Sequence, residues 1–353
     1  MTLGRWSLTE VDSTQFETLL TQAGCVLPIE QTRQWAQIDA PDTDRDPRGF
    51  HLVYDAGGSL RAGFYATRVK DHGSHFLWLR HGPVWVSEPS AQDESDLIAL
   101  VRSHIASLCP RATHLRLDLH HEVDGTQLPS SLITYDRTVI IDIARDTELD
   151  GEAAAEEILT RFKARGRRDV RKSVRESGLE CADETAQASQ DFSEYHALMA
   201  QTAGRDGFVP WDESYYRHMV ATLGEDHCRV YAGRIDSELV CWSIVTVFGT
   251  RATRYYAASA TKMMRQRVTD RLVLFECVDL SRQGVESFDL MGIGSDLSPS
   301  LMGLNEFKTK FSKDVVQVAP TREVILRPAA FNTLRSARRL IRRLRTGKQT
   351  PAS

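Results

Sequence analysis

The stretch Gly303-Leu304-Asn305-Glu306-Phe307-Lys308-Thr309-Lys310-Phe311 follows a strand-like Phe288-Asp289-Leu290-Met291-Gly292-Ile293-Gly294 near the C-terminal end of a chain of 353 residues. Alternation in the first segment reads as a strand, and the i, i+4 spacing of Phe307 and Phe311 reads as one face of a short helix. Gly292 and Gly294 mark a tight backbone passage between the two. Working backwards, Thr269 to Gln283 reads as a helix with Thr269 or Asp270 as its cap and Gly284 as its stop. Before it lies the strand Arg251 to Ala258, containing Arg254-Tyr255-Tyr256-Ala257-Ala258-Ser259, and before that a hairpin of Cys228 to Ile235 with Leu239 to Phe248. Strand, helix, strand, short helix is a βαβα run, which points to an α/β domain.

Upstream of the hairpin, Asp191 to Thr202 and Glu213 to Leu223 read as helices, and Glu152 to Ser177 reads as one long, basic helix. The first third of the chain goes through a similar plan. Helices are expected at Gln15 to Ala23, Gln31 to Gln37 and Ser90 to Leu108. Strands are expected at His51 to Tyr54, Gly63 to Val69, Phe76 to Leu79, His114 to Leu119 and Thr138 to Ile143. Two rounds of one plan in a chain of this length suggest two domains.

Composition narrows the function classes. An apolar fraction of 41% with 26% charged residues is ordinary globular composition. The start has no apolar signal-peptide core, and Leu239 to Phe248 is too short and too polar to span a bilayer, so a soluble, cytoplasmic protein without a transmembrane segment is expected. Six scattered cysteines, with no C-x-x-C pair, read as reduced, mostly buried thiols. Walker, H-E-x-x-H and G-x-S-x-G patterns are absent. The histidine pairs at 72/75 and 120/121 lack a third ligand in sequence, so no metal is expected.

The net charge of −4 conceals two basic segments. Arg161, Lys163, Arg165, Arg167, Arg168, Arg171, Lys172 and Arg175 face only Asp169 and Glu176 in one of them. Arg335, Arg338, Arg339, Arg342, Arg343, Arg345 and Lys348 meet no acid in the other. Concentrated cations on an acidic body suit either a polyanion, bound through counterion release, or two solvated helix faces.

The order of the basic helix, RYYAAS, FDLMGIG and GLNEFKTKF resembles the Fem (FemABX) family of aminoacyl-tRNA-dependent transferases, whose members carry a YDxGGI-like strand followed by G-L-x-x-F-K-x-x-F. The resemblance covers residues 150 to 330 well and 30 to 143 loosely. It implies an α/β fold of two GNAT-like, acyl-CoA N-acyltransferase-type domains packed around a shared cleft. The first would span 1–143, completed by 320–345, and the second 144–319, with 346–353 a polar tail. The implied reaction is transfer of an amino acid from aminoacyl-tRNA to an amine, forming an amide, with no cofactor beyond that co-substrate.

On that resemblance Lys308 is the candidate cation for the tetrahedral oxyanion, Asp289 a candidate carboxylate and Tyr256 a pocket aromatic. Phe307, Trp211 and Arg254 would line the substrate site. In the first domain Arg80-His81-Gly82-Pro83 and Arg116-Leu117-Asp118 match a G-P turn and an R-x-D-P-like strand. His81 could serve as a general base, while Arg116 and Asp118 could bind a polar acceptor group or pair with each other. Trp35 and Gln37 match the first helices, where cell-wall members often offer a basic side chain that Gln37 does not supply. Lys163, Arg165, Arg167, Arg168, Arg171 and Lys172 are the candidate tRNA contacts, and no DNA partner is expected.

The apolar run Gly207-Phe208-Val209-Pro210-Trp211 suits a small or lightly phosphorylated acceptor. A peptidoglycan precursor and a peptide or nucleoside natural-product intermediate both remain open. Two further readings stand beside this one. A CoA-dependent N-acyltransferase would share the fold, but Arg265 to Arg271 contains no glycine to cradle a pyrophosphate, and Asp270 at the helix start would repel one. A non-catalytic RNA-binding protein would have no use for an intact GLNEFK.

Overall fold

In the computed structural model, the described residues are 6–333, apart from 41, 43, 72–73, 131, 145–148 and 150, together with residue 336. The basic tail beyond them lies outside the described residues. The chain divides into two compact units, Met1–Leu132 with Ala319–Ser353, and Ile133–Val318.

Unit 1 runs β1 (Trp6–Val11), α1 (Ser13–Gln22), α2 (Arg33–Asp39), β2 (Arg45–Asp55), β3 (Leu60–Asp71), β4 (Ser74–Trp78), β5 (Val84–Trp85), α3 (Ala91–Leu108), β6 (Ala112–Asp118) and β7 (Thr126–Gln127). Its sheet has the order β1-β2-β3-β4-β6-β15-β7, with β5 beside β3. The last strand of the chain, β15 (Thr321–Ile325), is thus threaded between β6 and β7. The helix expected at 90–108 forms because Ser90 and Asp93 build a capping box and its apolar stripe, Leu97, Leu100, Val101 and Leu108, is buried against the sheet. Burying these with Phe64, Leu77, Leu115, Leu117 and Val324 makes the core.

Unit 2 runs β8 (Arg137–Asp142), α4 (Gly151–Arg161), α5 (Ala164–Glu176), β9 (Glu180–Asp183), α6 (Thr185–Gln190), α7 (Ser193–Asp206) and α8 (Glu213–His227). It continues with β10 (Cys228–Ile235), β11 (Glu238–Phe248), β12 (Arg251–Ser259), α9 (Val268–Arg282), β13 (Ser287–Gly292), α10 (Met302–Lys308) and β14 (Val316–Gln317). The sheet order is β14-β8-β13-β12-β11-β10-β9.

Three expectations need correction. The sequence places strand 138–143 in the first domain, but β8 pairs antiparallel with β13 and β14, so the change of unit falls at Ile133. The single basic helix over 152–177 is two helices. The chain turns extended at Lys163, whose N–H leaves the helical ladder to donate to the Lys310 carbonyl at 3.0 Å. Helix α9 is capped by Arg267 in a left-handed conformation, not by Thr269 or Asp270. Asp270 instead lies inside the first turn and is buried.

Candidate active site

The parallel pair β12/β13 is the feature that opens unit 2. Its ladder joins Arg251 to Ser287, Ala252 to Phe288 and Thr253 to Asp289, and then stops. Strand β12 continues along β11 to Ser259, while β13 continues along β8, where Gly292 pairs with Thr138. Each strand therefore turns its free edge toward a gap past Asp289. Two irregularities frame it. Between Ile244 and Val245 the β11/β12 register shifts around Tyr255, and β13 bulges at Leu290–Met291, where Met291 takes φ +62°. Such a left-handed conformation at a non-glycine residue costs on the order of 1–3 kcal/mol and concentrates at functional sites.

Helix α10 is seated against the end of β13 by two close approaches. A Cβ on Gly294 would lie 2.3 Å from the Met302 nitrogen, so only glycine fits there. The Asn305 amide then pairs with the Gly294 backbone, accepting from its N–H at 2.7 Å and donating to its carbonyl at 3.0 Å. Gly292 is equally constrained, by the Tyr135 ring at 2.3 Å from where a Cβ would stand. Both glycines serve close packing, where the sequence suggests a tight backbone turn.

That seating brings Lys308 over the bulge. Its Nζ donates to the carbonyls of Gly292 at 2.8 Å and Met291 at 3.2 Å. Burial pushes its ammonium down to a pKa of about 8, with Arg254 pushing the same way and Asp289 pulling back. Asp289 accepts from the Thr138 hydroxyl and from the Met291 N–H at 2.7 Å. Burial raises its carboxyl pKa against those two hydrogen bonds and the Lys308 charge. Lys308 and Asp289 thus lie on neighbouring parts of one bulge. Thr138, which holds Asp289, escapes a reading of the sequence because nothing local marks a strand threonine 151 residues away in the chain.

Tyr256 packs edge-on to Tyr216, with ring centroids 5.1 Å apart. Tyr216 in turn contacts Tyr215, which packs on the half-exposed Trp211 at 5.0 Å. Trp211 and Tyr256 are therefore ends of one aromatic row. Phe307 contacts Phe311 at 5.1 Å and lies under the Lys310 ammonium at 4.9 Å. Arg254 is held by Glu276, to which its Nε donates at 3.0 and 3.2 Å.

Lys310, one of a run of lysines in the sequence, is 4% exposed. It is ion-paired to Asp270 in the first turn of α9 and to Asp169 of α5 at 3.5 Å, with Arg267 joining Asp169 at 3.8 Å. The N-terminal end of α9 is consequently filled by side chains of the protein itself. Sequence spacing could not reveal this network, because its members come from three separate elements.

On α5, Arg168 keeps 73% of its side chain exposed. Arg165 pairs with Glu306 of α10, Arg171 with Glu156 at 2.6 Å and Lys172 with Glu176 at 3.8 Å. Arg167 turns back onto the Phe162 carbonyl at 2.5 Å, and the Lys163 side chain is exposed.

The candidates of unit 1 form a different arrangement. The parallel pair β4/β6, which matches β12/β13 in plan, stays closed past Trp78/Arg116. Leu79 N–H donates to the Arg116 carbonyl at 2.9 Å and Asp118 N–H to the Gly82 carbonyl at 2.8 Å. His81 sits in this seam, 3.1 Å from Asp118 and 3.8 Å from Glu30. Burial alone would lower its pKa, but Glu30 and Asp118 together raise it to about 9. The two carboxylates favour the imidazolium form, which argues against a general-base role.

Arg116 and Asp118 do not pair with each other. Arg116 donates to Glu323 at 2.9 Å and covers the Phe76 ring at 4.4 Å, while Asp118 accepts from Thr321 at 2.6 Å. Trp35 is 1% exposed beneath the Arg80 guanidinium, so it is a core residue and not a substrate contact; Gln37 is exposed. Among the described residues no group of three or more His, Cys, Asp or Glu side chains could hold a metal ion.

Residues 160–309 match the family described as an acetyltransferase (GNAT) domain. The crystal structure of FemX superposes with a TM-score of 0.70 at 15% identity, covering 93% of this chain and 99% of that one. The protein has a Fem-like fold. A tandem GNAT protein from the clavulanic acid biosynthesis pathway superposes with a TM-score of 0.52 at 11% identity, covering 90% of this chain and 98% of that one. Comparison with curated protein sequences finds no match. The Fem-like fold therefore consists of two GNAT-like domains, and the matched segment contains β12, α9, β13 and α10, the elements around the gap.

Proposed function

We propose that the protein is an aminoacyltransferase that moves an amino acid from aminoacyl-tRNA to an amine, forming an amide at the gap between β12 and β13. The observation that carries this reading is Lys308, a half-buried cation held on two carbonyls where the parallel ladder opens. A fixed positive charge in a dry site stabilises the oxyanion of acyl transfer by a few kcal/mol, roughly 10²-fold or more in rate. The acceptor's ammonium must lose a proton before it attacks. Asp289, whose pKa is raised by burial and whose charge acts on Lys308, is the proposed acceptor of that proton.

The choice of donor rests on two further points. The exposed cations of α5, which Arg165–Glu306 joins to the Lys308 helix, offer a track for RNA phosphates. At the start of α9, where a CoA pyrophosphate would need free N–H groups, buried Asp270 and its ion pairs disfavour an incoming anion. The acceptor is proposed to be a peptidoglycan precursor or a peptide or nucleoside intermediate, and the half-exposed Trp211 and Phe208 favour an apolar surface on it.

The test is a transfer assay with tRNA charged from mixed radiolabelled amino acids, a small-molecule extract as acceptor and an RNase-treated control. RNase-sensitive labelling of a small molecule is expected. Labelling only when acyl-CoA is supplied would replace this reading with a CoA-dependent one. Binding of tRNA without transfer from either donor would leave an RNA-binding protein.

A further inference from the structure

Arg254 has more hydrogen-bonding capacity than its partner uses. Its side chain is 8% exposed and its Nε donates to both oxygens of Glu276. Glu276 is itself fully buried and also accepts from the Ser243 hydroxyl at 2.5 Å. The Arg254 Nη2 is buried and has no hydrogen-bond partner among the described residues. An orphaned buried donor costs on the order of 1–3 kcal/mol, more on a charged group, and native structures seldom keep one without a use. A guanidinium presents a rigid fork of donors, so anchoring through Nε fixes the direction of the others.

The position of Arg254 gives that nitrogen a target. It lies one residue past Thr253, the last rung shared by β12 and β13, and directly before Tyr255, where the β11/β12 register shifts. Bulges of this kind re-aim side chains next to active sites. The charge on Arg254 is also felt by Lys308, whose ammonium it destabilises.

We propose that Arg254 Nη2 donates a hydrogen bond to the carbonyl oxygen of the acyl group under transfer, as a second oxyanion contact beside Lys308. The assignment rests on the acyl-transfer reading above. In the step it assists, the lone pair of the deprotonated amine forms the C–N bond while the carbonyl π pair moves onto oxygen. That oxygen carries the negative charge between Nη2 and Nζ. As the pair returns, the C–O bond to the ribose breaks, and the departing ribose oxygen takes up the proton released from nitrogen.

Steady-state turnover with aminoacyl-tRNA as donor and hydroxylamine as a surrogate amine, above the enzyme-free rate, tests this between about pH 6 and 9.5. Two variants separate chemistry from folding. Arg254→Lys keeps a positive charge opposite Glu276. The pair Arg254→Met with Glu276→Leu removes the buried ion pair without leaving a lone charge. Both should lower kcat about 10²-fold with KM for the RNA changed less than about threefold. In the double variant the alkaline limb set by Lys308 should also move upward, because a neighbouring positive charge is gone; Asp289 and Arg254 are the charged groups that set it.

A folded variant with kcat within about threefold of the parent would overturn the assignment. So would a loss of kcat that merely follows the folded fraction with the limb unmoved. Absence of turnover in the parent protein with any donor would instead remove the acyl-transfer reading, and this assignment with it.

Discussion

At the scale of the residue, Lys308 and His81 show how two cations, one desolvated and the other held between two carboxylates, lead to opposite pH behaviour. The folded pKa of Lys308 is lowered to about 8 from an unfolded value near 10.4. Below about 8 the native state carries a partly desolvated charge, and that cost fades as pH rises toward the unfolded value. Lys308→Met should therefore raise the melting temperature by a few degrees at pH 6.5, with the gain shrinking toward pH 10, while turnover falls about 10²-fold. A drop in both quantities would make Lys308 a structural residue. For His81 the folded pKa is raised to about 9. The stability it contributes is fully present below about pH 6.5 and is lost as pH rises through about 9. His81→Gln should accordingly melt lower than the parent at pH 6 and alike at pH 10; a difference independent of pH would count against the Glu30–His81–Asp118 pairing.

Among elements, the contact of α5 with the segment leaving α10 is a close backbone approach. A Cβ on Gly166 would stand 2.4 Å from the Lys310 carbonyl oxygen, which is backbone and cannot swing aside. Gly166→Ala should cost about 1–3 kcal/mol by overpacking, although alanine is the better helix former. Because the same segment carries Lys308 and Lys310, the displacement should also lower turnover; chemical denaturation and kinetics on one preparation would read both. A stabilised Gly166→Ala variant would mean that the helices are not in this register. The Asp169–Lys310–Asp270 cluster explains the tightness, since Lys310 neutralises buried carboxylates from α5 and α9 at once.

Across the whole molecule, the two units share a plan and differ at one seam. In unit 1 the parallel pair is bridged by backbone hydrogen bonds and filled by His81 and Asp118, whereas in unit 2 it opens past Asp289. This contrast assigns the proposed chemistry to unit 2. The charge of the molecule belongs to the same scale: net −4 overall, yet cationic along α5. Reversing Arg168 and Arg171 to glutamate should weaken tRNA binding and flatten the slope of log affinity against log salt by roughly 1.4–1.8, at about 0.7–0.9 for each of two phosphates no longer neutralised. Filter binding across a salt series reads this directly, and an unchanged slope would remove α5 from the RNA track.

The order of elements around GLNEFKTKF, the second round of the same plan and the choice of Lys308 and Asp289 as candidates were legible in the sequence alone. Periodicity, glycine placement and a nine-residue motif are local signals, and local signals survive in one dimension. Only the tertiary structure decided that β8 belongs to unit 2, that Lys163 breaks the basic helix and that Trp35 is core. It also set His81 between Glu30 and Asp118 and brought Thr138 to Asp289, Glu276 to Arg254 and Lys310 to Asp169 and Asp270. Each of these depends on what a side chain or strand edge meets from a distant part of the chain. Burial and opposing charge, which set protonation and pairing, exist only once those parts are in contact.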